Sequence, residues 1–447
     1  MNHRVIIGLC TLVLALSTLP ASGQEAATKE EVEGIRATLQ DMSEAFTEYR
    51  GYVDVLRKTK ITGYMHMQFR YTDVMNAPWT IGNFSGGAFP SNVKNVFQVR
   101  RGRLKVNYDN VLTQFVIQAD FIATGVTLKD AYISVTDPWM RSFGVQAGIF
   151  DRPFGYEISL SSSNRESPER SRMFQTLFPG ERDLGAKVFF SPQLGLLTGL
   201  RADIGLFNGV GPNANEVDNF KDVIGRVSYQ LPFEEANAAL DFGVSGYFGN
   251  IRSATKYMYT IADPGTGMKR FVVDSSAINV SAGVPRTYVG VDAQLYLNVF
   301  DFGGTILRGE YVAGKQPGTL ASNASLQAAV SGDVAKRSFH GYYLYLIQNL
   351  GSADQVVVKY DAMRPNTEVE VSDFRTGTNL TVADIPFRTL GLGYIHYLDD
   401  NVKVVAYYEL IANESLDPAL LTASSALYPY TSNARDNVLT IRMQYKF

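Results

Sequence analysis

The sequence predicts an all-β fold, a 16-stranded antiparallel transmembrane β-barrel behind a short N-terminal α-helical coiled-coil segment. Three observations carry that prediction. Apolar and polar residues alternate with a period of two from Ile61 to the C-terminus, the alternating segments are even in number, and the connections between them are short and long by turns.

The first element is a leader. A charged start at Arg4, an apolar run from Val5 to Leu19 and small residues at Ala21 and Gly23 predict a signal peptide over 1–23, cut near Gln24. The run is too short for a membrane anchor, and Cys10 lies inside it behind the bulky Leu9, which does not suit a lipoprotein signal. Loss of the leader removes Arg4 and the only cysteine, so the formal charge of −3 becomes one unit more negative. Disulfides and cysteine–metal sites are thereby excluded from the exported chain.

The second element, 24–58, has the period of a helix. Val32, Ile35, Leu39, Met42, Phe46, Tyr49, Val53 and Leu56 follow one another at spacings of three and four, with Glu31, Arg36 and Glu48 between them. A seam that narrow fits helix association better than burial against a globular body, although Gly34 and Gly51 weaken the helix.

The third element, 59–447, holds the strands, read near 61–71, 95–108, 112–121, 126–135, 143–150, 184–190, 200–207, 221–230, 240–248, 286–297, 303–313, 337–347, 354–362, 386–397, 402–411 and 437–447. The last is the clearest: Leu439, Ile441, Met443, Tyr445 and Phe447 share one face, and Thr440, Arg442, Gln444 and Lys446 the other. In lipid the apolar row turns outward and the polar row lines a wet lumen. Turn residues such as Tyr108-Asp109-Asn110 and Asp399-Asp400-Asn401 mark short connections. Long ones lie near 72–94, 151–183, 249–285, 314–336, 363–385 and 412–436. The tight link Ile122–Gly125 breaks the alternation on the outer side. No later segment reaches the roughly 18 apolar residues of a membrane helix. The 25 tyrosines, 26 phenylalanines and 39 glycines suit many half-exposed strands.

Alternation also assigns faces. It turns His66 and Arg70 inward on the first strand, Arg101, Arg103 and Lys105 on the second, and Arg442 and Lys446 on the last. Closure makes those strands neighbours, so the bases form one wall. Arginine suits such a wall because its planar fork pairs phosphate or carboxylate oxygens while staying charged. Inward acids at Asp120, Asp130, Asp203, Asp222, Asp241, Asp292, Glu310, Asp361 and Glu409 nearly match the inward bases. The segment 151–183 is placed to fold inward as a constriction loop; it carries Arg152, Arg165, Arg170, Arg172 and Arg182 against Asp151, Glu157, Glu166, Glu169, Glu181 and Asp183.

The first-strand ITGYMHMQFRY, the second-strand VRRGRLKVNY, the fifth-strand GIFDRPFGYE, the segment ESPERSRMFQTLFPGERDLG and the terminal Phe447 together resemble the phosphate-selective porin O and P family, from about Ile61 onward. The resemblance implies trimeric sixteen-stranded barrels of the Gram-negative outer membrane that pass phosphate or other small anions. It carries an anion-guiding role to Arg101, Arg103 and the loop arginines. The expected function is passive diffusion of small hydrophilic solutes, with outer-membrane lipids, small anions and a homotrimer as partners, and no cofactor, metal or nucleic acid. Three alternatives remain: a general diffusion porin with little ion selectivity, a passive structural or adhesive barrel if the long loops plug the lumen, and, last, a barrel enzyme such as an outer-membrane lipase. The enzyme reading lacks G-x-S-x-G and H-E-x-x-H patterns and has only His66, His340 and His396 after the leader.

Overall fold

The computed structural model describes residues 28–73, 89–90, 92–193, 195, 197–298, 300–327, 329, 332–434 and 436–447. The predicted leader, the first residues of the helical segment and most of the 72–94 connection lie outside the described residues. The chain divides into two units, Met1–Lys58 and Thr59–Phe447.

In the first unit a single helix, α1 (Lys29–Lys58), spans 30 residues. Glu30 and Glu31 in its first turn and Arg57 and Lys58 in its last complement the helix dipole. Thr28 and Glu31 cap it reciprocally: the Glu31 carboxylate accepts the Thr28 N–H, and the Thr28 hydroxyl accepts the Glu31 N–H. No residue of α1 is buried, and the seam residues Ile35, Leu39, Met42, Phe46 and Tyr49 stand exposed on the single chain.

The second unit is a closed antiparallel barrel of sixteen strands. In chain order they begin with β1 (Thr59–Thr72), β2 (Asn95–Asn110), β3 (Thr113–Ile122), β4 (Gly125–Thr136), β5 (Phe143–Asp151), β6 (Arg182–Phe190), β7 (Leu200–Phe207), β8 (Asp222–Phe233) and β9 (Ala238–Arg252). A hairpin, β10 (Met258–Ala262) and β11 (Arg270–Asp274), follows within the connection expected at 249–285. It stands outside the barrel order, because β9 pairs directly with β12 (Gly283–Leu297). The wall continues through β13 (Thr305–Gly318), β14 (Val334–Leu350), β15 (Asp354–Arg364), β16 (Phe387–Tyr397), β17 (Val402–Asn413) and β18 (Val438–Lys446). Each predicted strand is present, most of them a few residues longer than the alternation indicated. The hairpin escaped the sequence reading because Met258–Ala262 is too short to show a period.

Closure joins β18 to β1, pairing Tyr64 with Lys446 and Thr72 with Val438. Beyond the ladder, Gly63 and Phe447 exchange both backbone hydrogen bonds, at 3.1 and 3.0 Å. Any Cβ on Gly63 would sit 2.7 Å from the Phe447 ring, so a glycine seats the terminal aromatic. Along β18, Ile441, Met443 and Tyr445 are exposed while Thr440, Arg442 and Gln444 are buried, which is the inside-out patterning expected in lipid. Among the described residues no helix is long and apolar enough to cross a membrane; this barrel crosses with strands.

Two register shifts interrupt the ladders. Between β1 and β2, His66 faces Arg101 but Met67 faces Val99, so Arg100 is an extra residue. Between β3 and β4, Gln118 faces Asp130 but Ala119 faces Leu128, so Lys129 is extra. A β-bulge re-aims the side chain it inserts. Both bulges insert a cation.

Candidate functional site

The interior is occupied by the connection from β5 to β6. Its short helix α2 (Arg172–Leu177) is capped by the Ser171 side chain, which accepts from the Phe174 N–H, and all six helix residues are buried. Phe154, Phe174 and Phe178 bind it to the inner wall, with ring centroids 5.1 and 5.7 Å apart within the trio and Phe178 5.9 Å from Tyr247. A loop with this much apolar surface cannot stay in water at the barrel mouth. Turning inward is the burial open to it.

Polar contacts fix its path across the lumen. On one side the Glu310 carboxylate of β13 accepts the backbone N–H groups of Tyr156 and Glu157 at 3.3 and 3.2 Å, and the Tyr343 hydroxyl at 2.9 Å. Gly155, at φ +64°, makes the turn that permits this approach; a Cβ there would collide with the same carboxylate. Arg308 of β13 holds Glu166 at 2.9 Å. On the other side Glu169 meets the predicted basic wall. Its carboxylate accepts from Arg100 at 2.8 Å, Arg101 at 2.8 Å and Arg442 at 3.2 Å, and Gln444 and Lys446 reach Ser163 and Asn164 of the same loop. Burial alone would raise the Glu169 carboxyl, but Arg100, Arg101 and Arg442 overcome it and hold the group well below the usual carboxylate range.

The remaining loop charges pair closer to home. Arg170 binds Glu181 and the carbonyls of Glu157 and Ile158, and Arg182 binds Asp130 at 2.6 Å. Arg152 takes Asp183 at 2.8 Å. Arg165 is spent on the carbonyls of Ser167 and Pro168, and Arg172 lies 5.5 Å from the Phe387 ring centroid. Arg170 and Arg182, with Lys129, hold the Glu181 carboxyl low against the opposing effect of burial.

The predicted wall is therefore assembled: His66, Arg70, Arg101, Arg103 and Arg442 are buried inward on β1, β2 and β18, Lys105 is half-buried beside them, and Lys446 is exposed at the end of β18. His66 hydrogen-bonds Gln444 at 2.7 Å. Arg103 bonds Asp120 at 3.1 Å. Strict alternation missed Arg100 and Lys129. The signal was present in the sequence as adjacent charges, Arg100-Arg101 and Lys129-Asp130, within otherwise alternating strands. One of each pair would face lipid unless the strand bulged, at a cost of about 2–4 kcal/mol for an Arg or Lys at the bilayer midplane. Arg308 and Lys403 were also missed; they lie on strands whose loop partners, Glu166 and Arg165, are distant in sequence.

Lys105, Lys129, Arg100, Glu169, Glu181 and Asp151 keep partial access to solvent beside the loop. Among the described residues no group of three or more His, Cys, Asp or Glu is placed to hold a metal.

No family model matches the chain, and no curated protein matches it. Solved structures do. An anion-selective porin from Comamonas acidovorans superimposes with a TM-score of 0.51 at 12% identity, covering 87% of this chain and 99% of that one. OprB of Pseudomonas putida gives 0.53 at 9%, covering 88% and 96%. OmpF of Salmonella typhi, in complex with daunomycin, gives 0.51 at 12%, covering 87% and 97%. At these identities the likeness is one of fold: the chain is a membrane barrel of outer-membrane porin architecture.

Proposed function

We propose that this protein is an outer-membrane channel for passive diffusion of small hydrophilic solutes, with a preference for small anions of the phosphate type. The observation that supports it most is the surround of the inward loop. Arg100, Arg101, Arg103, Lys105, Lys129 and Arg442 gather on adjoining strands around Glu169 and Asp120, so cations outnumber carboxylates where the loop meets the wall. A low-dielectric wall strengthens such a field, and anions entering it lose less on leaving water than cations do. A second reading, diffusion with little preference for sign, is favoured by the pairing of most lumen arginines with acids. Reversal potential in a planar bilayer under a potassium chloride gradient separates the two. A potential of the anion-selective sign is expected, with phosphate reducing chloride current; a cation-selective potential refutes the first reading.

The helix α1 has a place in the same proposal. Its uncovered stripe fits a coiled coil between copies, and three copies would place one barrel on each helix. Changing Leu39 and Phe46 together to aspartate is expected to lower the trimer fraction measured by light scattering in detergent. An unchanged mass would remove α1 from assembly.

A further inference from the structure

We infer that two pairs of lysines, Lys105 with Lys129 and Lys403 with Lys446, make the exchangeable anion contacts of the pore and add to the sign preference of its arginines. This rests on the anion-favouring reading and assigns the groups that make those contacts. The arginines around the loop are committed: Arg100, Arg101 and Arg442 share Glu169, Arg103 has Asp120, Arg182 has Asp130 and Arg308 has Glu166. Three of these arginines share one carboxylate, so the cluster keeps a net positive charge, but each guanidinium is held in place by its acid. The planar fork of arginine makes it good at building the constriction and poor at letting go.

The four lysines differ. None has a carboxylate within ion-pair distance among the described residues. The Lys403 ammonium donates only weakly, to the Arg165 carbonyl at 3.4 Å, and Lys446 donates to the neutral Asn164 side chain at 2.9 Å. Both border a pocket of about 200 Å³ beside Ser163 and Gln444, where β17 begins and β18 ends, with Asp399 and Asp400 of the connecting turn also in its lining. Asp399 is partly occupied there, accepting the N–H groups of Asn401 and Val402.

The other pair sits farther along the wall. Lys105 on β2 faces Gln118 on β3, which faces Asp130 on β4, and Lys129 is the bulge residue beside that rung. The charges that act on Lys129 are those of Glu181, Arg103, Arg182 and Asp120. Strand spacing puts Lys105 and Lys129 about 10 Å apart across β3, close enough for a small anion to pass from one to the other. A compact, hydrated ammonium on a flexible stem makes the graded, weak contacts that conduction requires.

The test uses the full chain in planar bilayers at low ionic strength, where screening is weakest. The double variants Lys105→Gln with Lys129→Gln, and Lys403→Gln with Lys446→Gln, are each expected to lower the anion-to-cation permeability ratio roughly threefold or more. Arg226 on β8 pairs with Asp292 on β12 at 2.7 Å, and the charge-neutral double variant Arg226→Gln with Asp292→Asn is expected to leave the ratio unchanged. Lys105→Arg with Lys129→Arg should retain it, which separates charge from fold. If the wild type is anion-selective and the glutamine variants, folded by heat-shifted gel mobility, keep its ratio, the lysine assignment fails and the anion reading stands. A cation-selective wild type overturns both.

Discussion

Replacing Glu169 with alanine is expected to release the inward loop from the basic wall and raise single-channel conductance. The variant leaves Arg100, Arg101 and Arg442 facing one another without their shared carboxylate, and removing one partner of a buried ion pair costs about 3–5 kcal/mol. What else holds that side is a set of single hydrogen bonds: Tyr64 with Ser162, Arg442 to the Pro168 carbonyl, and Gln444 and Lys446 to Ser163 and Asn164. The far side stays anchored through Glu310 and the aromatic trio, so the loop should swing rather than leave, and the current should become noisier as well as larger. Unchanged conductance would mean that the loop is held by its apolar side alone. The same clamp has a defined pH dependence. A carboxyl depressed in the folded state stabilises above its unfolded-state pKa, and that contribution is lost as pH falls through the folded value. Because the arginines hold Glu169 well below its ordinary range, wild-type conductance should be flat from neutrality to about pH 5 and change only in stronger acid.

The second large effect is expected at Asp183. Its side chain is wholly buried and accepts from Arg152 at 2.8 and 3.1 Å and from the backbone N–H groups of Leu184, Gly209 and Gly211 at 2.9, 2.9 and 3.2 Å. Asp183→Ala strands a buried guanidinium and frees three N–H groups at once, a loss of about 3–5 kcal/mol or more. Here the consequence is stability rather than conductance, because Asp183 ties the root of the inward loop to the next outer connection. The temperature at which folded gel mobility is lost should drop clearly, and Asp183→Asn, which keeps the shape and some acceptors, should drop it less. Equal melting of both variants and wild type would show that the network adds nothing to the barrel.

The sequence carried the barrel well and the site unevenly, for a physical reason. A strand between lipid and water must alternate, so the strand count, the closure partners and the inward faces of Arg70, Arg101, Arg103 and Arg442 could be read from period alone. Alternation is a rule for unbroken ladders. Where β2 and β4 bulge, the rule aimed Arg100 away from the lumen and left Lys129 off the list of inward bases, and only the oddity of adjacent charges hinted otherwise. The loop is a different case: its composition of matched arginines and acids was visible, but Glu169 is held by Arg101 and Arg442, 68 and 273 residues away, while Arg170 and Arg152 take acids only 11 and 31 residues off. No local pattern encodes those pairings.

The seam between Gly63 and Phe447 bears on how such a chain can be made. The first wall strand has no partner on one flank until the last residues of the chain exist, so a nascent or truncated chain exposes two raw sheet edges that invite pairing with other chains. Bringing ends so distant together also costs loop entropy before any contact repays it. Completion is therefore a single late event, and a protein lacking only its final strand should behave as aggregate rather than as a slightly smaller barrel.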